Sequence, residues 1–370
     1  MRIVLTGGGT GGHIYPALAV AGALGSVDPS VTITYVGTSS GLEAALVPGR
    51  GLDFRVISSR GILGKSPLGA AVGAAAAARG AVEALWLLRK LRPAAVLGTG
   101  GYVSGPVVLA AVALGIPRAI QEQNAVPGFT NRALGVVADK VFLAFEEAAD
   151  KFPASKVKIT GNPVREEILV ARRETSAQAL GLDPSRFTVL ILGGSRGARA
   201  IVDAGMRLLR SGLSSGIQVV FVTGREYFAS ASRTLRAGGI NSGGAGNTIL
   251  IPYMHNIEDG LACADLVVCR AGGMTVAEVT ARGLPSVLVP SPNVANNHQE
   301  RNAAALEKRG AAVVVKEGAR FEERVEEAVR GLLSDRARLD AMRAAARSAG
   351  RPRAATEIAL ELLRMAGSRL

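Results

Sequence analysis

The chain has 370 residues, 48% of them hydrophobic, and carries a formal net charge of +13 from 43 basic against 30 acidic residues. That length allows two domains with a core each, and the charge points to an anionic partner such as a nucleotide-sugar phosphate or an anionic membrane surface. No transmembrane run, cleavable leader, nucleic-acid motif or metal-ligand spacing is present, and the only cysteines, Cys263 and Cys269, flank an apolar strand pattern; the expectation is a cytoplasmic protein with reduced core thiols, no metal and no nucleic-acid partner.

In chain order, Arg2-Ile-Val-Leu-Thr6 is a short β-branched run that breaks into Gly7-Gly-Gly-Thr-Gly-Gly-His13, and a helical pattern starts near Pro16. A strand that ends in glycines and turns into a helix brings bare backbone N–H groups to a helix N-terminus, where an anion can sit. His13 is a titratable ring at the mouth of that site. Gly7, Gly9 and Gly12 satisfy the G-x-G-x-x-G dinucleotide fingerprint, which also requires an acid at the end of the second strand. The second strand, Val31–Val36, runs into Gly37-Thr-Ser-Ser-Gly41, and the nearest acid, Glu43, falls past the strand end. Another phosphate ligand is therefore preferred over NAD or FAD.

Residues 61–91 have a different texture: Ile62-Leu63-Gly64-Lys65, then a long Ala-rich helix ending in Leu85-Trp86-Leu87-Leu88-Arg89-Lys90. The only Trp of the chain lies among Arg79, Arg89 and Lys90. Apolar groups ringed by basic ones suit an anionic lipid surface, and a sheet-covering helix with a snorkelling basic end suits the pattern equally.

Further on, Pro93–Gly101 and Ile116–Gln121 read as strands, and Gly, Asn and Pro at 161–163 mark a boundary. The pattern then repeats. Ile3–Gly7 returns as Thr188–Gly197, Thr32–Thr38 as Gln218–Gly224, Pro93–Gly101 as Asp265–Gly273, and Ile116–Gln121 as Leu284–Pro290. Short strands alternating with helix-length Ala/Leu-rich segments predict an α/β fold of two Rossmann-like domains with parallel sheets facing a cleft. The tail from Phe321 is helical in pattern and is punctuated at Gly350-Arg-Pro352.

Seven segments together are specific: Thr6–His13, Gly98–Pro106, Glu122-Gln-Asn124, Gly161–Arg165, Gly193–Arg199, Arg270–Glu278 and Asn296–Ala303. In this order they resemble the MurG family, the peptidoglycan N-acetylglucosaminyltransferases of glycosyltransferase family 28. The resemblance implies a GT-B fold and an inverting, metal-independent and cofactor-free hexosyl transfer from UDP-N-acetylglucosamine to lipid I, giving lipid II. It also implies peripheral attachment at the cytoplasmic face of the membrane. Residues 1–162 would form the acceptor and membrane-associating domain and 163–350 the donor domain, with 351–370 a helix packing back on the first.

Carried over by matching motifs, the donor would meet Thr10, Gly11, Gly12, Asn124, Arg165, Ser195, Met254, Gly273, Met274, Thr275, Glu278 and Gln299. Arg165 and Ser195 match diphosphate contacts, Glu278 the acceptor of the ribose hydroxyls, Met254 the uracil-binding position and Gln299 the reader of sugar hydroxyls. His298 stands where some members carry glutamine. The acceptor pyrophosphate would lie on Gly8, Gly9, Thr10, Gly11 and Gly12, and Ile62, Leu63, Lys65, Arg79, Leu85, Trp86, Arg89 and Lys90 would face the membrane. His13 is the candidate general base, because a helix N-terminus disfavours imidazolium and keeps the ring able to take a proton. Glu122 is the alternative base. The competing reading is a UDP-sugar epimerase or hydrolase of the same fold.

Overall fold

The computed structural model describes residues 1–61, 67–194, 198–240 and 247–367, without the side chains at 67–71 and 74. The chain divides into two compact units: unit 1 is Met1–Glu166 with Arg351–Leu370, and unit 2 is Glu167–Gly350. Each is built on one parallel sheet.

In unit 1 the strands are β1 (Arg2–Thr6), β2 (Thr32–Gly37), β3 (Asp53–Val56), β4 (Ala95–Gly98), β5 (Arg118–Glu122), β6 (Lys140–Leu143) and β7 (Val157–Ile159). They lie in the order β3-β2-β1-β4-β5-β6-β7. The helices are α1 (Gly11–Val27), α2 (Leu42–Leu46), α3 (Pro67–Leu91), α4 (Ser104–Ala113) and α5 (Phe129–Val137). β1 is apolar along its length because both faces of a parallel sheet are covered: Ile3 and Leu5 pack into one cluster, with Ile14, Leu18 and Leu24 of α1, and Val4 into another, with Leu88 of α3 and Val107 of α4.

The chain passes into unit 2 within α6 (Glu166–Val170) and continues through α7 (Arg173–Leu180). The second sheet holds β8 (Thr188–Leu192), β9 (Gln218–Val222), β10 (Thr248–Ile251), β11 (Leu266–Cys269), β12 (Ser286–Leu288) and β13 (Ala312–Val314), in the order β10-β9-β8-β11-β12-β13. Around it lie α8 (Arg199–Arg210), α9 (Phe228–Ala237), α10 (Ile257–Cys263), α11 (Gly273–Ala281), α12 (His298–Lys308), α13 (Phe321–Ser334) and α14 (Arg336–Ala349). A break at Gly350 precedes α15 (Ala354–Gly367), whose Ile358, Ala359 and Leu362 are buried in the same cluster as Ile3 and Leu5 of unit 1.

Both sheets follow the doubly wound order, in which the chain reverses direction next to the first strand. Ligands of such sheets bind beyond the carboxyl ends of the strands at that switch point. In unit 1 the switch lies between β1 and β4, paired from Ile3↔Ala95 to Thr6↔Gly98. In unit 2 it lies between β8 and β11, paired from Leu266↔Val189 to Cys269↔Leu192. A glycine turn follows each of the four strands, directly after β1 and β8 and within three residues after β4 and β11.

One sequence expectation shifts. α1 begins at Gly11, not near Pro16. The Thr10 carbonyl accepts from both His13 N–H (3.1 Å) and Ile14 N–H (3.2 Å), which starts the helix in the glycines. Pro16 then lies in the second turn, where its missing N–H leaves the Gly12 carbonyl without its i→i−4 donor.

Candidate functional site

In unit 1 the glycine run after β1 packs against the one after β4. The Gly8 N–H donates to the Gly100 carbonyl (3.3 Å), and Thr99 Oγ1 donates to the carbonyl of His13 (2.6 Å). Gly101 has φ of +80°, and a Cβ there would collide with the Gly8 carbonyl, so the two loops meet only because side chains are absent. Tyr35, its hydroxyl pushed above its usual range by burial and the nearby Glu43, donates as a neutral phenol to the Gly7 carbonyl (2.7 Å). Among the described residues no side chain caps α1. Its first helical N–H groups, on Gly11 and Gly12, have no intrahelical acceptor and point along the positive end of the helix dipole.

The imidazole of His13 lies against these glycine loops. Its Nδ1 lies 3.1 Å from the Gly8 carbonyl and 3.2 Å from Thr10 Oγ1. A carbonyl only accepts, so the Nδ1–H tautomer is the one that satisfies the Gly8 contact; in that tautomer the lone pair of the neutral ring is on Nε2, the nitrogen a general base needs. Nε2 lies beside Gly100, where a Cβ would come within 3.2 Å.

Several expected roles change. Glu122 is 2% exposed and accepts from Asn124 N–H (3.0 Å), Asn124 Nδ2 (3.3 Å), Gly128 N–H (3.1 Å) and Asn131 Nδ2 (2.9 Å). Both of its oxygens are buried in the turn after β5, so it is a clamp on that turn and not an accessible base; Asn124 belongs to the same clamp. Glu43, considered above as a misplaced ribose acid, is fully buried and accepts from the Gly9 N–H (3.0 Å). The dinucleotide reading fails here, because that carboxylate faces the glycine loop and not solvent. It also occupies the N–H of Gly9, which narrows the anion contact to Thr10, Gly11 and Gly12. Arg165 is grouped with unit 1 and not with the second domain. Its guanidinium stacks 4.9 Å over the ring of Tyr15, and its buried Nε has no hydrogen-bond partner among the described residues, a state that an oxyanion ligand would relieve.

On α3, Trp86 is 66% and Val82 57% exposed, and Arg89 lies 5.9 Å over the Trp86 ring. Arg79 pairs with Glu83 one turn along (2.7 Å). Spacings of three and four residues put Arg79, Val82, Trp86, Arg89 and Lys90 on one face. Leu85 is not on it; it packs against the core of unit 1. Ile62, Leu63 and Lys65 lie outside the described residues, as does Ser195.

In unit 2 the expected donor residues share one end of the sheet. Met254 follows β10, Gly273, Met274, Thr275 and Glu278 follow β11, and Gln299 opens α12 after β12. The N-terminus of α11 is again glycine, with Gly272 as its cap residue and no capping side chain among the described residues. Buried Asn302 donates to the Ala271 carbonyl (3.0 Å) and holds that turn. Gln299 Oε1 accepts from Ser291 N–H (2.9 Å), fixing the loop after β12. Asn296 and Asn297 both have positive φ, 54° and 49°, in the turn that aims α12, a strained arrangement of the kind found at ligand sites. His298 Nδ1 donates to the Ala295 carbonyl (2.8 Å) and caps this turn. Met254 packs on Gly260, where a Cβ would lie 2.6 Å from its sulfur. Burial pushes the Cys269 thiol up to about 12 and that of Cys263 up to about 11; both are buried and unpaired, which suits inert core thiols. Glu43, Asn131 and Asn302 were missed as structural anchors. Their only sequence signal was a polar residue amid glycines or apolar neighbours.

The Glycosyltransferase family 28 N-terminal domain matches residues 3–143 and the Glycosyltransferase family 28 C-terminal domain residues 188–358. A relative from Halalkalibacterium halodurans, named as a UDP-N-acetylglucosamine–N-acetylmuramyl-(pentapeptide) pyrophosphoryl-undecaprenol N-acetylglucosamine transferase, is 44% identical over 358 residues, covering 97% of this chain and 98% of its own. The crystal structure of Acinetobacter baumannii MurG is 29% identical with a TM-score of 0.76, over 98% of this chain and 99% of that one. A UDP-GlcNAc 2-epimerase from Neisseria meningitidis has a TM-score of 0.70 at 14% identity, over 98% and 100% of the two chains, and shares the fold alone. The chain belongs to glycosyltransferase family 28 and, within it, to the MurG N-acetylglucosaminyltransferases of GT-B fold.

Proposed function

We infer that the protein transfers N-acetylglucosamine from UDP-N-acetylglucosamine to the muramyl 4-hydroxyl of lipid I, with inversion, and so makes lipid II for the cell wall. The observation that carries this is the near full-length relation to a transferase named for that donor and acceptor. The glycine turns at the switch points of both sheets support it, since donor diphosphate and acceptor pyrophosphate each need an anion site.

In unit 1, the N–H groups of Gly11 and Gly12 bind the acceptor pyrophosphate and His13 Nε2 takes the proton of the attacking hydroxyl. In unit 2, Glu278 accepts from the ribose hydroxyls, Met254 marks the uracil position, and Gly273, Met274 and Thr275 border the diphosphate and sugar. Gln299 keeps its amide N–H₂ for the sugar hydroxyls, because its oxygen already holds Ser291. Departing UDP gains negative charge; Ser195 and the N-terminal dipole of α11 stabilise it.

No helix among the described residues is long and apolar enough to cross a membrane. The lipid-linked acceptor is reached instead from the α3 face of Arg79, Val82, Trp86, Arg89 and Lys90, on the anionic cytoplasmic surface of the membrane.

Acceptor dependence tests the reading. UDP should appear only when a short-chain lipid I analogue accompanies the donor, in equal amount to a disaccharide product. UDP release without acceptor would identify a hydrolase, and conversion of the donor at C2 an epimerase.

A further inference from the structure

We propose that Glu43 is a positioning residue that sets the tautomer of His13 through a single peptide plane. The proposal rests on the reading of His13 as the general base. The carbonyl of Gly8 and the N–H of Gly9 belong to one peptide unit, which is planar and trans, so the two groups point in opposite directions from a rigid plate. Glu43 Oε2 accepts from the N–H end (3.0 Å), and His13 Nδ1 donates to the C=O end (3.1 Å). Carboxylate, peptide and imidazole therefore form one hydrogen-bonded chain. A carboxylate at the N–H end polarises the peptide and strengthens its carbonyl as an acceptor, and that carbonyl keeps the hydrogen on Nδ1 and the lone pair on Nε2.

The carboxylate is itself built in. Glu43 is fully buried, and its Oε1 accepts from Thr38 N–H (3.2 Å) and Thr38 Oγ1 (2.7 Å). The three partners use both oxygens as acceptors. Glycines surround it: a Cβ on Gly8 would lie 2.7 Å from Glu43 Oε1, and one on Gly37 would lie 2.7 Å from its Cγ. Gly9 has φ of +84°, the turn that presents its N–H to the carboxylate. Glutamine at this position would set an amide N–H₂ against either Gly9 N–H or Thr38 N–H, donor against donor, and release one end of the chain.

The test uses the whole protein. It has three histidines, so the side-chain nitrogens of His13 can be assigned in long-range ¹H–¹⁵N spectra by comparison with His13→Ala. The wild type should show His13 as the Nδ1–H tautomer. Glu43→Gln should raise the Nε2–H population and lower kcat roughly 10- to 100-fold, with the affinity for UDP-N-acetylglucosamine unchanged. Thr38→Val, which removes one donor from the carboxylate without changing volume, should move both readouts the same way by less, and Thr38→Ser should restore them. Should Glu43→Gln fail to fold, the Thr38 pair decides. An unaltered His13 tautomer in these variants would overturn the relay. A shifted tautomer with full kcat would uphold the relay and overturn His13 as the base.

Discussion

At the residue scale the chemistry turns on what each polar group already holds. His13 has its Nδ1 engaged by the Gly8 carbonyl, and the proposed base is its other ring nitrogen, Nε2. Replacing His13 by Ala should slow turnover by about 10²-fold or more while UDP-sugar affinity stays intact, as measured by steady-state kinetics beside calorimetry; a full-rate variant would remove the ring from the reaction. Glu278 lies one turn into α11, half-buried, and its loss would strand the ribose hydroxyls in a partly desolvated site. Glu278→Ala should weaken the donor by roughly 1–3 kcal/mol, and unchanged calorimetric affinity would take it out of the donor site. The other two carboxylates near the glycine loops show where sequence reading ends. Glu43 and Glu122 stand beside turns, as catalytic acids often do, yet both are buried anchors. Nothing in residue type separates an acid that faces substrate from one that faces two backbone N–H groups and neighbouring side-chain donors; only the fold decides which.

At the scale of elements, the strand–glycine–helix units were legible because two signals coincide in them. A parallel strand buried on both faces reads as a continuous apolar run, and a close approach of two loops can be made only by glycine. The start of α1 at Gly11 is not legible in the sequence, because glycines carry no helical signal and the Thr10 carbonyl that organises the first turn is a backbone group. On α3 the basic residues and Trp86 were legible from spacing, whereas the outward face of Val82 and the inward one of Leu85 depend on which side meets α4 and the sheet. If this face meets lipid, Trp86→Ala should lower partition to anionic vesicles by about 1–2 kcal/mol, roughly tenfold, in a sedimentation assay. Equal partition by the variant would exclude α3 as the docking face.

At the scale of the whole molecule, each unit repeats the same logic. A sheet of one winding order puts its switch point at the carboxyl ends of two neighbouring strands, and glycine turns there expose N–H groups to phosphate. The fold class was legible from the repeat of four strand–turn patterns, and the Gly350-Arg-Pro352 break set the last helix apart as an arm packing back on the first domain; which residues hold it, Ile358 and Leu362 in the core of unit 1 and the Lys158–Glu361 pair at 2.7 Å, is a tertiary fact that an amphipathic tail does not reveal. On the proposed reading the transfer is a single displacement, in which the acceptor hydroxyl attacks the anomeric carbon as UDP leaves. That claim has a stereochemical signature. The anomeric configuration of the disaccharide, read from the proton coupling at its new linkage, tests it most directly: the α-linked donor should give a β-linked product, and an α-linked product would contradict a one-step transfer with His13 as base.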